Sequence, residues 1–313
     1  MISLIIRRFF QLFLLLFGIS FIVFISMFIA PGDPAAIVAG PTASASDLEA
    51  VRASMGLDKP VLVQYFDYLA GVFHGDFGYS YQTGQSVSDA IISRFPNTFK
   101  LGIASMIVAI VIGVITGILS AIKHNSWIDL SSTTVALLGV SIPNFWLGAM
   151  LILVFGVNLQ LLPVGGLSYS VFSAEGIKEL ILPAITLGTA SAALIARMSR
   201  SSMLEVIKSD YIRTARAKGV KRRSVVWVHA LRNAMIPVIT IIGIDFGALL
   251  GGTVITEQVF AINGIGRLMI DAIAARDFPI IQGTVLLVAA IFVVVNLVVD
   301  IIYALIDPRI SYE

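Results

Sequence analysis

The residues that could do catalytic or metal chemistry are few in this chain of 313 residues. There are three histidines, His74, His124 and His229, and no two of them have the spacing of a metal-binding pair. The lack of cysteine excludes disulfides, thiolate metal ligands and cysteine nucleophiles. Neither a Gly-x-x-x-x-Gly-Lys-Ser/Thr phosphate loop nor a Gly-x-Ser-x-Gly nucleophile elbow occurs. We therefore expect no catalytic residues, no bound metal and no cofactor of this chain's own.

Two carboxylates, Asp245 and Asp300, fall inside long apolar segments, where a charged group is costly and usually functional. Membrane aspartyl proteases use such a pair, but the Tyr-Asp and Gly-x-Gly-Asp patterns of those enzymes are absent. Proton sites of an ion-driven secondary transporter are another alternative, although the repeated or interrupted helices of that class are not seen. For Asp300 a structural role is the favoured interpretation. Asp245 is a candidate for a transport path, with an internal polar pair as the structural alternative.

The strongest chemical signal is the basic segment from Asp210 to Pro237, which lies between apolar segments and could not enter a bilayer. Residues 211–218 have helical propensity, Ser209 or Asp210 can cap a helix there, and Gly219 follows where a left-handed residue commonly ends one. Such a helix would be small on one side and basic on the other. It would either bind anionic lipid or dock a cytoplasmic partner. The candidate docking residues are Asp210, Tyr211, Arg213, Thr214, Ala215, Arg216, Ala217, Lys218 and Gly219.

The elements that must position these residues are membrane helices. The chain is 58% hydrophobic and 13% charged, with a mean hydropathy of +0.95, whereas soluble domains carry roughly 25% charged residues. A helix needs about 20 apolar residues to cross the hydrocarbon core. Six segments meet that requirement, and we predict an all-α integral membrane protein with spans at Phe9–Ala30, Leu101–Ile122, Ser132–Phe155, Leu180–Ala196, Ala234–Thr253 and Ile280–Ile306.

The basic residues give the orientation of these spans. Fourteen of the 21 lysines and arginines lie at the termini or on the loops after the second and fourth spans. The loop of residues 31–100 instead carries seven acids and four bases. Because cytoplasmic loops are enriched in lysine and arginine, both termini are predicted to be cytoplasmic. The predicted regions are a first transmembrane helix (1–30), an outer loop region (31–100) and a transmembrane domain (101–309) with a cytoplasmic loop at 198–232.

Several short motifs, spread in order over nearly the whole chain, resemble one family. Residues 213–219, Arg-Thr-Ala followed by three residues and Gly, are similar to the Glu-Ala-Ala-x-x-x-Gly coupling loop of ABC importer permeases, with Arg213 in place of glutamate. More narrowly, the chain resembles the first permease subunit of bacterial dipeptide, oligopeptide and nickel importers. The other matching motifs are Pro31-Gly32-Asp33-Pro34, Gly56-Leu57-Asp58-Lys59-Pro60, Gln64-Tyr65, Gly75-Asp76-Phe77-Gly78, Ile262-Asn263-Gly264-Ile265-Gly266 and Asp307-Pro308-Arg309.

This resemblance implies a type I ABC importer permease fold with six spans in the bacterial inner membrane. It also implies a second homologous permease subunit, two cytoplasmic ATP-binding subunits that use ATP and Mg, and an extracellular substrate-binding protein. The implied cargo is a dipeptide or oligopeptide, with nickel, glutathione or a sugar as alternatives within the same importer class. No nucleic acid is expected among its partners.

Overall fold

The computed structural model describes residues 2–29 and 32–306. Pro31 and the Asp307-Pro308-Arg309 motif lie outside these ranges. Every regular element in the described ranges is a helix, and the single isolated β-bridge joins Tyr79 and Ser86. The α-helices are α1 (Ile2–Ile29), α2 (Pro34–Ala39), α3 (Ala45–Ser54), α4 (Val61–Phe73), α5 (Val87–Ile122), α6 (Trp127–Ser141), α7 (Asn144–Leu151), α8 (Ala174–Ile207), α9 (Asp210–Ala217), α10 (Arg222–Ser224), α11 (Leu231–Val259), α12 (Ile265–Ala275) and α13 (Phe278–Ile306). Two π-helical turns, Ile152–Asn158 and Val225–Ala230, continue α7 and precede α11.

Five of the six predicted spans are present as helices long and apolar enough to cross a membrane. They extend beyond the predicted bounds, because α5 already begins at Val87 and α8 covers 34 residues around the short fourth prediction. Pro183 and Pro237 lie inside α8 and α11, and both helices continue through them.

The third predicted span, Ser132–Phe155, is not one straight helix. It consists of α6 and of α7 with its π-helical turn, and these two parts are bent by 103°. The break falls at Ile142 and Pro143, where Ile142 adopts an extended ψ of 124°. A proline disfavours the helical conformation of the residue before it, so α6 ends there. The described chain thus has five crossing helices, or six if the bent pair counts as one span.

One compact unit consists of the chain up to Asn97 together with Asn263–Val293. Its aromatic centre is Tyr65, which is 2% exposed and whose hydroxyl lies 2.9 Å from Ser20 Oγ. The Asp277 carboxylate is hydrogen-bonded to Ser80 and accepts from the Tyr81 amide at 3.0 Å. Burial raises the pKa of Tyr81 to about 12, and the negative charge of Asp277 adds to the shift. The phenol therefore stays neutral at physiological pH.

Helices α3 and α4 of this unit begin differently. Helix α4 begins at Val61 after Pro60 and has no side-chain cap. Helix α3 is capped by Ser44. Ser44 and Asp47 form a reciprocal capping box, which satisfies two backbone amides at the start of the helix.

The other unit consists of Thr98–Ile262 and the chain from Val294 onward. Helices α5 and α8 approach closely in it, because Gly113 and Gly117 have no side chains. A Cβ atom on these glycines would lie 2.7 Å from Ala192 O and 2.5 Å from Ala196 O. Two glycines four residues apart lie on one face of a helix, and small residues there let membrane helices pack closely. The main apolar core includes Leu101, Leu182, Leu187, Ile195, Val238, Leu249 and Phe260.

Candidate functional site

The predicted docking helix exists as a separate element, α9, that begins and ends one residue earlier than the sequence indicated. Ser209 occupies the N-cap position, but its hydroxyl donates to Val206 O at 2.7 Å instead of capping α9. Asp210 begins the helix, and its negative charge interacts favourably with the positive end of the helix dipole.

The end of α9 is set by Gly219, whose φ is +79°. The Gly219 amide donates to Arg216 O at 2.9 Å and the Val220 amide donates to Ala215 O at 3.2 Å. These two bonds form a Schellman motif, in which a left-handed residue lets the chain satisfy the last carbonyls of a helix. The sequence prediction of a left-handed glycine at this position is confirmed.

One face of α9 is anchored in an apolar cluster. Ile212 is fully buried, while Ala215 is half-buried. The cluster draws its buried members from α5, α8, α9 itself, the π-helical turn Val225–Ala230 and α11: Ile118, Ala121, Met203, Ile212, Val225, Val226, Ala230 and Ala234. We call it the α9 seat. Burial of an isoleucine side chain contributes roughly 1.5–3 kcal/mol, so Ile212 holds α9 firmly against three crossing helices.

The opposite face of α9 is exposed and basic. Tyr211, Arg213, Arg216 and Lys218 are exposed, as are Thr214 and Ala217. Arg213 Nη1 lies 3.1 Å from Asp210 Oδ1, but the two side chains are 74% and 92% exposed. Such a pair adds little to stability. The cationic face of α9 therefore remains available to another molecule.

A further contact ties α9 to α11. The Tyr211 hydroxyl accepts a hydrogen bond from Asn233 Nδ2 at 2.7 Å. This bond and the α9 seat are the contacts that join α9 to the start of α11. The predicted docking residues Asp210–Ala217 form α9, and Lys218 and Gly219 follow directly at its end.

Asp245 belongs to a different part of the molecule. It lies eleven residues beyond Ala234, the last residue of the α9 seat, or about 16 Å along α11. Its Oδ2 atom is buried and has no hydrogen-bond partner among the described residues. Nearby, a Cβ atom on Gly243 would lie 2.5 Å from Val299, so α11 and α13 pack closely there. This arrangement leaves a buried carboxylate oxygen free to accept a hydrogen bond.

Sequence reasoning missed a buried ionic cluster at the ends of α5, α6 and α8. Asp129 is 5% exposed and accepts from Arg200 at two positions, with Nε–Oδ1 at 2.7 Å and Nη2–Oδ2 at 2.8 Å. Ser120 is hydrogen-bonded to the same carboxylate, and His124 Nδ1 lies 3.1 Å from Asp129 Oδ2. The charge count assigned Arg200 to a loop. The signal was an aspartate just after a polar turn, which needs a cationic partner on another helix if it is buried.

Two family descriptions match the chain. Residues 109–312 match the binding-protein-dependent transport system inner membrane component. Residues 1–102 match the N-terminal region of the same class of transport system membrane component. Together they cover both the region that holds α9 and Asp245 and the region before it.

Full-length relatives agree with these matches. The glutathione transport system permease proteins GsiC of Escherichia coli strain K12 and of Shigella dysenteriae serotype 1 are each 45% identical over 313 residues, which is 100% of both chains. A structure of the MetNI methionine ABC transporter in an inward-facing conformation has a TM-score of 0.56 at 20% identity, covering 69% of this chain and 96% of that one. The latter likeness concerns the fold alone. The chain belongs to the family of binding-protein-dependent transport system inner membrane components, the permease subunits of ABC importers.

Proposed function

We propose that this permease forms a translocation path with a second, homologous permease subunit and imports small peptides, with glutathione among them. In this proposal, two cytoplasmic ATPase subunits that use ATP and Mg drive transport, and an extracellular binding protein delivers the cargo. The observation that carries the proposal is α9, a short helix with an exposed basic face, anchored through Ile212 against three crossing helices.

The geometry of α9 suggests how ATP would act on the path. A rigid docking helix transmits a displacement only if its own seat is well packed. Met203 of α8 and Ala234 of α11 both belong to the α9 seat, and Ser202 Oγ donates to Ala234 O at 2.8 Å. Closure of the ATPases would therefore move α9 and tilt α8 and α11 together. ATP must bind one conformation more tightly than the other to shift the population in this way.

Asp245 is the residue that we propose for the path itself. Its buried Oδ2 needs a donor, since an unpaired buried polar atom costs about 1–3 kcal/mol. The α-ammonium group of a peptide is such a donor and carries the complementary charge. The alternative is a structural pair between Asp245 and a polar group of the second permease subunit. Peptide uptake and complex assembly of an Asp245 variant distinguish the two roles.

Peptide cargo is supported by two lines that agree in chemistry. The motif resemblance points to dipeptide, oligopeptide and nickel importers, most of which carry peptides, and the full-length relatives are named glutathione permeases. Glutathione is a tripeptide, so both lines describe a short chain with an ammonium group and amide carbonyls. Cargo selection between such peptides would lie largely in the separate binding protein.

The direct test is transport by the complete importer in sealed vesicles, with its binding protein, ATPases and Mg-ATP. We expect ATP-dependent accumulation of radiolabelled glutathione or dipeptide. Unlabelled peptide should compete, and unlabelled sugar or Ni²⁺ should not. An importer with a catalytically inactive ATPase subunit provides the control for leakage. Accumulation of Ni²⁺ or a sugar without peptide uptake would disprove the proposed cargo and leave the role of α9 intact.

A further inference from the structure

A groove runs between α5, α6 and α8. It lies toward the ends of α5 and α6 that are joined by the short connection from Lys123 to Trp127. It consists of two cavities of about 390 and 230 Å³, which share several lining residues and therefore adjoin. The shared residues are Thr116, Ser132, Ala136 and Ala196. One end of the groove is apolar and the other is polar and cationic.

The apolar end is open because the surrounding residues are small. Ala192 and Ala193 of α8 form its floor, and Ile112 and Val135 stand on its two sides. The latter two side chains are 46% and 67% exposed. Gly139 keeps α6 near α8, because a Cβ atom there would lie 3.1 Å from Thr189 Cγ2. An exposed apolar groove in a membrane-spanning segment suits a hydrocarbon chain.

The polar end carries one uncompensated positive charge. Arg200 is paired with Asp129, so its charge is balanced within the chain. Arg197 also lines the cavity but is exposed and makes no ion pair with any described residue. The Ser132 hydroxyl, on the same wall, has no hydrogen bond in the described part of the chain. A guanidinium and a free hydroxyl together are donors suited to a phosphate group.

The position of the polar end along the helices fits the headgroup layer. Trp127, at the start of α6, is 77% exposed, and exposed tryptophans are enriched at membrane interfaces. Ser132 follows five residues later, about 7 Å deeper along the helix. The Arg197 side chain is long enough to extend over that distance toward the interface. The polar end of the groove would thus lie at the interface, and the apolar end would lie inside the bilayer.

We propose that this groove binds an anionic phospholipid, with the phosphate group at Arg197 and Ser132 and one acyl chain against Ile112 and Val135. Cationic pockets between membrane helices on the cytoplasmic side are known lipid sites. The second permease subunit is the competing occupant. Charge favours the lipid, because a packed helix would have to bury the unpaired Arg197 guanidinium, whereas a lipid phosphate neutralises it.

The test is native mass spectrometry of the assembled importer, purified from equal mixtures of phosphatidylglycerol and phosphatidylcholine. Arg197→Gln should lower the retained phosphatidylglycerol about tenfold, because a charge-assisted hydrogen bond is lost. Arg197→Lys should retain most of it. Lys123→Gln, which removes one charge from the same end of α5 outside the groove, is the matched control and should change retention less than about twofold.

A second variant tests the apolar end independently of charge. Ala136→Leu places a larger side chain where the two cavities meet and should lower retention of both lipids. If Arg197→Gln prevents assembly, this variant decides the matter. The proposal is overturned if the Ala136→Leu complex, or an assembled Arg197→Gln complex, retains as much lipid as the wild-type complex. Efficient disulfide formation between Ser132→Cys and a cysteine in the second permease subunit also overturns it, since this chain has no cysteine of its own.

Discussion

Asp245 places a carboxylate oxygen inside a membrane-spanning helix with no hydrogen-bond donor from the described chain. A charged aspartate at such a depth costs roughly 2.5–3.5 kcal/mol on insertion scales. The group must therefore meet a cavity, a ligand or a partner subunit. This isolation, rather than proximity to other polar residues, makes Asp245 informative.

We predict that Asp245→Asn leaves the importer assembled and lowers peptide uptake about tenfold. The substitution keeps the shape of the side chain but removes a charge-assisted hydrogen bond, which is worth about 1.5–3 kcal/mol. The measurement is uptake by reconstituted complex at matched protein levels. Glu205→Gln, at an exposed carboxylate near the end of α8, is the control and should leave uptake unchanged. Unchanged uptake in Asp245→Asn would remove this residue from the path, and failed assembly would favour an internal pair.

The ion pair between Asp129 and Arg200 also acts at the scale of single residues. We expect Arg200→Met to destabilise the purified subunit by about 2–3 kcal/mol, because Asp129 would stay buried without its partner. This value lies below the range for fully buried pairs, since the Arg200 side chain is 30% exposed.

Adding Asp129→Asn should recover part of the loss, because the uncompensated charge disappears. The midpoint of thermal unfolding in detergent reports both effects. Equal midpoints for Arg200→Met and the wild-type protein would show that the cluster adds no stability.

At the scale of elements, α9 combines a buried anchor with an exposed basic face, and Gly219 determines where it ends. A Cβ atom on Gly219 would meet no heavy atom within 4 Å, so space does not explain the glycine. Backbone conformation does, because a side chain at a φ of +79° is strained.

We therefore predict that Gly219→Val impairs peptide-stimulated ATP hydrolysis and uptake without preventing membrane insertion. The left-handed conformation costs an ordinary residue roughly 1–2 kcal/mol, whereas one exposed ion pair contributes about 0–1 kcal/mol. Arg216→Ala should consequently have a smaller effect. Gly219→Asn is the matched control, since asparagine tolerates this conformation. Normal coupling in Gly219→Val would contradict the docking role of α9.

As a permease subunit of an ABC importer, the whole molecule is a multi-pass inner-membrane protein, and the ATPase site lies in separate subunits. Within the first unit, α2, α3 and α4 fill much of the long loop after α1. The charge distribution predicts that this loop faces outward and that α9 faces the cytoplasm.

Cysteine labelling can test this orientation, since the protein contains no cysteine. Gln85 is exposed in the predicted outer loop, and Ser224 is half-buried just after α9. In intact cells we expect an impermeant thiol reagent to label Gln85→Cys and not Ser224→Cys. After permeabilisation both positions should react, which controls for burial. Labelling of Ser224→Cys from outside would require an odd number of spans before it.

The sequence by itself determined the elements whose signals are local. Apolar length identified the crossing segments, helical propensity and Gly219 placed α9 to within one residue, and ordered motifs indicated the family by resemblance. The first two signals depend on neighbouring residues in the chain, so the physics of helices could predict them. The position of Gly219 is an example in which the structure agrees with the sequence.

Only the tertiary structure decided which distant residues meet. The pairing of Asp129 with Arg200 joins positions 71 residues apart, and the α9 seat gathers side chains from five helical elements. The structure also decided which proline breaks a helix, since α8 and α11 continue through Pro183 and Pro237 whereas the chain bends by 103° at Pro143. Contacts of this kind arise from the arrangement of whole helices, and no local pattern in a single sequence specifies that arrangement.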